Sequence, residues 1–508
     1  MAQVGTIHGA VKPMNFTVLL STEIERGSYV KVNHETYGWV LARIDSVRRY
    51  MQSGEEVSIA EAKTIGYKQA GKILVPKTPF RAEERVHTAD RDLITDVLGL
   101  RKAKRGSIYF GLLEGHDLPV YVDVARTIGK HVSVLAKTGA GKSYTVGVLL
   151  EELMKNKVPI VIIDPHGEYS SLKYPNTESA AMTIYDVKPA SYADQIVEYT
   201  TDRGANPGAE RLSLNSKFDL YELMRVMPMA LNDAQKAILY DSLRHLEGKN
   251  YGLANIINVV QDHENKAKWK ILSGLEMLKN SGIFDEKPLK EKDFVRDGMT
   301  SIINLKGTDP IIQQLIVAKI AEDLFEAKKM NRIPGFFFLV EEAHNFCPER
   351  GFGDALSSEI LRTVASEGRK FGFSLCVVSQ RPARIDKNVL SQCNTQIILK
   401  VTNPNDLRAI GQSIEGFTQD MENDIRQLPV GHALIVGCAE QPVTVDIRVR
   451  ETMHAGKPPA EDAEEEKPAK KKGKSLCERI KPIFISDEPA PAEKKKDKSR
   501  LRSIFFRE

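Results

Sequence analysis

The chain has 508 residues and a net charge of +4, a length that accommodates about three domains. Its five cysteines, Cys347, Cys376, Cys393, Cys438 and Cys477, are too widely spaced for a disulfide framework or a paired-cysteine zinc site, and no run of about eighteen apolar residues is present to cross a bilayer as a helix. From residue 455 onward, 15 lysines and arginines face 11 acids, which accounts for the whole net charge, so bulk charge gives no argument for a polyanionic partner of the body. The first residues lack a basic segment leading into an apolar one. The expectation is a soluble, cytoplasmic protein with no membrane association.

Short β-branched runs open the chain: 16–20, 29–32, 38–44 and 72–75, separated by glycine, asparagine and charged turns. They predict a small closed β-barrel over residues 1–100, in which no chemistry is legible. Residues 92–100 read as helical, and 108–111 and 119–122 as strands that enter the next domain.

The run His131 to Leu135 then ends in Ala136-Lys137-Thr138-Gly139-Ala140-Gly141-Lys142-Ser143-Tyr144-Thr145. A strand that passes through a glycine-rich turn into a helix leaves unpaired N–H groups at the positive end of the helix dipole, a cradle for phosphate. This is a phosphate-binding loop in which Thr138, Gly139, Ala140, Gly141, Lys142, Ser143 and Tyr144 hold the nucleotide, Lys142 reaching the β- and γ-phosphates and Ser143 placing its hydroxyl on Mg²⁺. Ala136 stands where a first glycine is usual, which a methyl group tolerates if φ stays negative.

Pro159 to Ile163 is apolar throughout, as a strand buried on both faces must be, and it exits into Asp164-Pro165-His166-Gly167-Glu168-Tyr169. Asp164, His166 and Glu168 are therefore site candidates, although a plain polar strand exit fits His166 equally well. Residues 216–293 turn to apolar spacings of three and four, a helical insertion whose methionines read as core filler. After a strand at 301–305 and a helix from Pro310 to Lys329, Phe336 to Val340 leads into Glu341 and Glu342. An apolar strand followed by two acids is the second half of an ATPase site: the first acid, Glu341, serves the magnesium shell and the second, Glu342, orients or deprotonates the attacking water. Glu341 stands where aspartate is usual. Residues 359–370 read as one helix ending in Arg369-Lys370, and 373–380 as a buried strand ending in Gln380, an uncharged amide suited to sensing the γ-phosphate. Arg369 is either a solvated helix end or a finger offered to a neighbour's ATP. The loop 348–353, with Arg350, either faces a pore or is simply solvated.

Taken in order, residues 136–145, 164–169, 341–346, 367–372, 379–382 and 391–395 resemble the HerA ATPases of the HerA/FtsK superfamily. The resemblance spans residues 5–452 and implies an α/β fold: a RecA-like P-loop motor with a helical insertion, preceded by a small N-terminal β-barrel and followed by a disordered tail. The expected boundaries are 1–100 for the barrel, 101–215 and 296–454 for the two parts of the motor, 216–295 for the insertion and 455–508 for the charged tail. It further implies an ATP- and Mg²⁺-dependent homo-hexameric ring that pumps double-stranded DNA and acts with a NurA-type nuclease in end resection and recombinational repair. On matching positions, Lys142 and Ser143 bind nucleotide and metal with Glu341, Glu342 is catalytic, Gln380 is the sensor and Arg369 the trans finger. A secretion or conjugation ATPase of the same superfamily and a weakly hydrolysing nucleotide-gated scaffold are the competing expectations.

Overall fold

In the computed structural model, which describes residues 2–454 apart from 53, 103–105, 216–219, 250 and 286, the first ninety residues close into a six-stranded antiparallel barrel. Its strands run in the order Asn15–Leu20, Gln3–His8, Arg85–Thr88, Tyr29–His34, Gly38–Gln52 and Glu55–Gln69, and the last pairs back onto the first. Every second side chain of these strands points inward. Val18, Val30, Val32, Val40, Ile44 and Val86 are fully buried there. Three of the six, Gln3–His8, Glu55–Gln69 and Arg85–Thr88, were not expected. Glu55–Gln69 is rich in glutamate, alanine and lysine, weak strand formers, and it is held extended by partners on both sides rather than by its own propensity.

The motor is a twelve-stranded sheet. Its parallel part runs Glu210–Arg211, Ile196–Thr200, Thr300–Asn304, Ile160–Asp164, Phe336–Val340, Phe373–Ser379, Val132–Leu135, Thr395–Ile398. The sheet then continues antiparallel through His432–Val436, Val443–Ile447, Ser107–Leu113 and Pro119–Asp123. The apolar runs are buried on both faces, with period two deciding which face. Phe336, Phe338 and Val340 enter one core and Phe337 and Leu339 the other, as strand geometry requires.

Between Ile196–Thr200 and Thr300–Asn304 the chain makes helices Leu220–Val226, Asp233–Leu246, Leu253–Asp262 and Lys268–Asn280. The short parallel pair Leu214–Asn215 and Phe284–Asp285 closes the base of this insertion, and Met227 is among its buried core residues. The second of these helices starts on a capping box, Asn232 and Gln235 exchanging side-chain bonds with each other's backbone N–H. Helix Pro310–Lys329 has the expected bounds. The helix expected at 359–370 instead breaks into Ser358–Thr363, a π-turn at Val364–Gly368 and a final turn at Arg369–Phe371. The tail expected at 455–508 lies outside the described residues. Among the described residues no helix is long and apolar enough to cross a membrane.

Candidate active site

Parallel strands carry their loops of interest at their carboxyl ends, and the strand order places three such ends side by side. Phe373–Ser379 lies between Val132–Leu135 and Phe336–Val340, so Gln380 emerges between the phosphate-binding loop and the acid pair. The loop itself is shaped by Gly139 at φ 78° and Gly141 at φ 97°, values that L side chains rarely adopt. Gly141 caps helix Lys142–Lys155 without a side-chain bond, which leaves the first N–H groups of that helix facing outward. Ala136 is fully buried and is not among the residues at positive φ, so its methyl group is accommodated.

Lys142 is only 8 % exposed. Its Nζ donates to Glu341 Oε1 and, at 2.8 Å, to Glu342 Oε1. Consecutive residues of a strand point to opposite faces, yet both acids reach one ammonium because Glu342 leaves the strand at φ 49°. A glutamate in the left-handed region costs about 1–3 kcal/mol, a strain typical of functional positions. Tyr169 Oη donates to Glu341 Oε2 at 2.5 Å. Gln380 Nε2 donates to Glu342 Oε1 at 2.6 Å, while Thr138 Oγ1 donates to Gln380 Oε1. One chain of hydrogen bonds thus joins the phosphate-binding loop, the amide and the acids.

The two acids differ electrostatically. Burial pushes Glu342 up, but His344, Lys142 and Gln380 outweigh it and hold its carboxyl well below the usual range. Burial also pushes Glu341 up, and there the Lys142 and Tyr169 contacts do not fully offset it. Lys142 is raised: burial opposes its charge, and the two acids overcome that. One ammonium thus faces two carboxyls whose proton affinities are driven in opposite directions, Glu342 down and Glu341 up. Glu342 Oε2 is buried without a well-aligned donor; its nearest is His344 Nδ1 at 3.2 Å, an atom shared with Ser379 Oγ at 3.0 Å.

Asp164 is fully buried, and burial pushes its carboxyl up to about 7. It accepts the backbone N–H groups of Gly167, Glu168 and Tyr169 at 2.9–3.1 Å. Its place is therefore under the turn that aims Tyr169 at Glu341. His166 is exposed, and Glu168 Oε2 is buried without a partner. Tyr144 turns away from the loop: its hydroxyl accepts the N–H of Arg450 at 2.8 Å. The Arg369 side chain is exposed and forms no hydrogen bond or ion pair among the described residues. It precedes strand Phe373–Ser379, whereas Gln380 follows it, so at about 3.3 Å per residue the two lie toward opposite ends of that strand, roughly 20 Å apart.

Two features had no signal in the sequence. Tyr169 is one. The other is a buried ion network at the far end of the phosphate-loop helix, where Arg448 meets Glu151 at 3.0 Å and Glu152 at 2.8 Å, and Arg450 meets Glu151 at 3.5 Å. Glu151 also accepts the N–H groups of Glu451 and Thr452, which straps residues 448–452 across the helix.

Among the described residues no cluster of His, Cys, Asp and Glu forms a self-sufficient metal cage. That suits Mg²⁺, which keeps waters and phosphate oxygens as ligands and takes few from protein. Two carboxyls on one lysine leave negative charge for such an ion. A buried lysine at a glycine-turned helix start, facing two acids, one of them bonded to an amide from the strand between, on a parallel sheet of this order, defines a P-loop ATPase with a RecA-like core.

Residues 108–324 match the family model described as the central domain of helicase HerA. The chain is 28 % identical to a probable DNA double-strand break repair helicase HerA of Methanocaldococcus jannaschii, covering 88 % of this chain and 96 % of that protein. It is 29 % identical to the DNA double-strand break repair helicase HerA of Pyrococcus furiosus, over 79 % and 81 %. Among solved structures, VirB4 of Thermoanaerobacter pseudethanolicus superposes with a TM-score of 0.50 at 16 % identity, covering 68 % of this chain and 98 % of that one, a likeness of fold alone. The chain is thus similar to HerA-type ATPases over most of its length, and it is an ATP-hydrolysing enzyme of the helicase type.

Proposed function

We propose that this chain is the subunit of a hexameric, ATP-driven translocase and helicase that encircles double-stranded DNA in the cytoplasm. In this reading it works in break-end resection and recombinational repair beside a NurA-type nuclease. The observation that carries the reading is the seat of Lys142 between Glu341 and Glu342, with Gln380 bonded to both Glu342 and the loop residue Thr138. The names of relatives that align over four-fifths or more of their length support DNA as the substrate.

Lys142 is held by the two acids. An arriving triphosphate competes for Nζ and for the N–H groups of residues 139–144, and Lys142 transfers from carboxylate to phosphate. Glu342 is thereby released from the lysine and left beside His344, positioned to orient and polarise the attacking water. Gln380, losing its bond to Glu342, turns toward the γ-phosphate. Mg²⁺, held at Ser143 and the Glu341 side, would neutralise charge on the phosphates. Arg369, beyond the amino end of the strand that carries Gln380 at its carboxyl end, is too far to serve its own nucleotide and acts on a neighbour's, where a guanidinium can contribute about 10³-fold or more to turnover.

Mixing subunits tests the trans arrangement. Arg369→Ala and Lys142→Ala proteins, each inactive alone, recover part of the ATPase activity when combined, because some interfaces unite an intact loop with an intact arginine. No recovery at any ratio places the arginine in its own site and refutes the ring mechanism. Duplex-stimulated ATP hydrolysis tests the substrate, and turnover indifferent to duplex refutes it.

A further inference from the structure

The acid pair and the sensor amide each lead into an exposed loop, and the two loops are one body. From Glu342 the chain passes through the turn Ala343–Asn345 and buried Cys347 to the turn Arg350–Phe352. From Gln380 it passes directly to the turn Pro382–Arg384. An isolated bridge joins Pro348 to Ile385. The Glu349 N–H donates to the Arg384 carbonyl at 2.8 Å, and the Asp386 N–H to the Cys347 carbonyl at 2.9 Å. The Lys387 N–H donates to Glu349 Oε2 at 2.9 Å. The two backbone bonds that make this bridge, with the third to the Glu349 side chain, tie the tips together.

At those tips Phe352 is 56 % exposed, and the Arg384 guanidinium lies over its ring, 5.2 Å from the centroid. Arg350 and Arg381 are exposed beside it. At the surface here Arg350, Arg381, Arg384 and Lys387 face Glu349 and Asp354, Asp386 being buried against Arg362, and among the described residues only Lys387 of the four cations is drawn to an acid, Glu349 at 3.4 Å. Gly351 and Gly353 flank the phenylalanine with open space where a Cβ would stand, Gly353 at φ 127°, so the tip can adjust to what it meets. An exposed ring is costly in water. Here it holds a guanidinium plane outward, and a planar, weakly hydrated cation of fixed orientation is suited to bidentate contact with phosphate.

We propose that Arg350 and Arg384, the latter positioned by Phe352, grip the phosphodiester backbone of duplex DNA, and that this grip follows the nucleotide because its two strands of support begin at Glu342 and Gln380. The proposal rests on the duplex-DNA reading above and specifies where the contact is made. When the 2.6 Å bond between Gln380 and Glu342 opens on ATP binding, both supports shift and carry the tips with them.

Binding of the full-chain assembly to a fluorescent duplex, measured by anisotropy across a salt series, tests it. Each lost phosphate contact lowers the slope of log affinity against log salt by about 0.9. Arg350→Ala with Arg384→Ala should lower affinity at least tenfold and flatten the slope by about two. Phe352→Leu keeps apolar bulk but removes the ring face, so it should weaken binding severalfold with a smaller change of slope. Wild-type affinity and slope in the double variant overturn the proposal while leaving the DNA reading standing. Failure of the unaltered protein to bind duplex overturns both. Loss of assembly in sedimentation, with the melting temperature retained, makes the knob a contact between subunits and also overturns it.

Discussion

Helix Lys142–Lys155 carries a cluster of buried charge at each end, and the two are built to opposite rules. At the carboxyl end, three cations, Arg448, Arg450 and Lys155, meet three acids, Glu151, Glu152 and Glu451. Glu151 receives two arginines, two backbone N–H groups and the Thr452 hydroxyl. At the amino end, one cation faces two acids, one of them on strained backbone and with an oxygen lacking an aligned donor. Balanced, fully bonded charge holds a single arrangement, because any displacement leaves a buried ion unpaired. Charge left in excess and incompletely bonded is ready for a ligand of complementary sign. The first cluster fixes the helix; the second lets its first residue change partners.

Turnover should show the largest difference. Glu342→Gln removes the released carboxylate but keeps a side chain that can accept from Lys142, so ATP affinity should stay within a few-fold while turnover falls about 10²- to 10⁴-fold. Equilibrium nucleotide binding and steady-state ATPase assays separate the two. An equal loss of affinity would make Glu342 a binding group and erase the contrast with the strap.

Stability should show the reverse. Arg448 is fully buried, and Arg448→Met takes from Glu151 and Glu152 a buried cation that Arg450 and Lys155 replace only in part, which should lower unfolding free energy by about 3 kcal/mol in urea titration. If the loss is under about 1 kcal/mol, the strap does not hold the helix. A finer probe is Gly147, where an added Cβ would come within 2.5 Å of the Arg450 guanidinium carbon. Alanine gains about 1 kcal/mol of helix propensity, but displacing a packed, paired arginine costs about 1–3 kcal/mol. Gly147→Ala should therefore be destabilising by up to about 2 kcal/mol, against the usual sign of a glycine-to-alanine change inside a helix.

The same contrast explains what was legible in the sequence. The amino-end cluster could be read because its members sit in local patterns: a strand, a glycine turn and a lysine in ten residues, then a strand and two acids. Arg448 and Glu151 are some three hundred residues apart, and in isolation each is an unremarkable charge on a strand end or a helix. Tyr169 was invisible for a related reason: its hydroxyl meets Glu341 only because Asp164 folds the turn beneath it. The π-turn at 364–368 could not be foreseen, since its residues fit an ordinary helix; where it meets the next strand, a Cβ on Gly368 would press on the Phe373 carbonyl at 3.0 Å. In the barrel, the apolar alternation of Tyr29–His34 was plain, whereas Glu55–Gln69 is a strand by context.

The smallest expected effect tests the charge excess itself. If Glu341 is the surplus acid, its conversion to glutamine should scarcely disturb the nucleotide-free protein: Lys142 retains Glu342, and the loss of one acceptor for Tyr169 and the lysine is offset by removal of a buried carboxyl. The pH dependence gives the sign. Burial raises the Glu341 carboxyl above its unfolded value, so the folded state holds that proton longer than the unfolded state, and its contribution to stability is present below the unfolded value and lost as pH rises through the folded one. The unaltered protein should therefore give up stability across that rise, and Glu341→Gln, with no proton there to lose, should not. Urea midpoints of the two proteins should lie within about 1 kcal/mol of each other in acid and draw apart with increasing pH in favour of the glutamine variant. A variant that is instead weaker at high pH would mean that Glu341 is a required carboxylate partner of Lys142, and the amino end of the helix would then be a strap like the other.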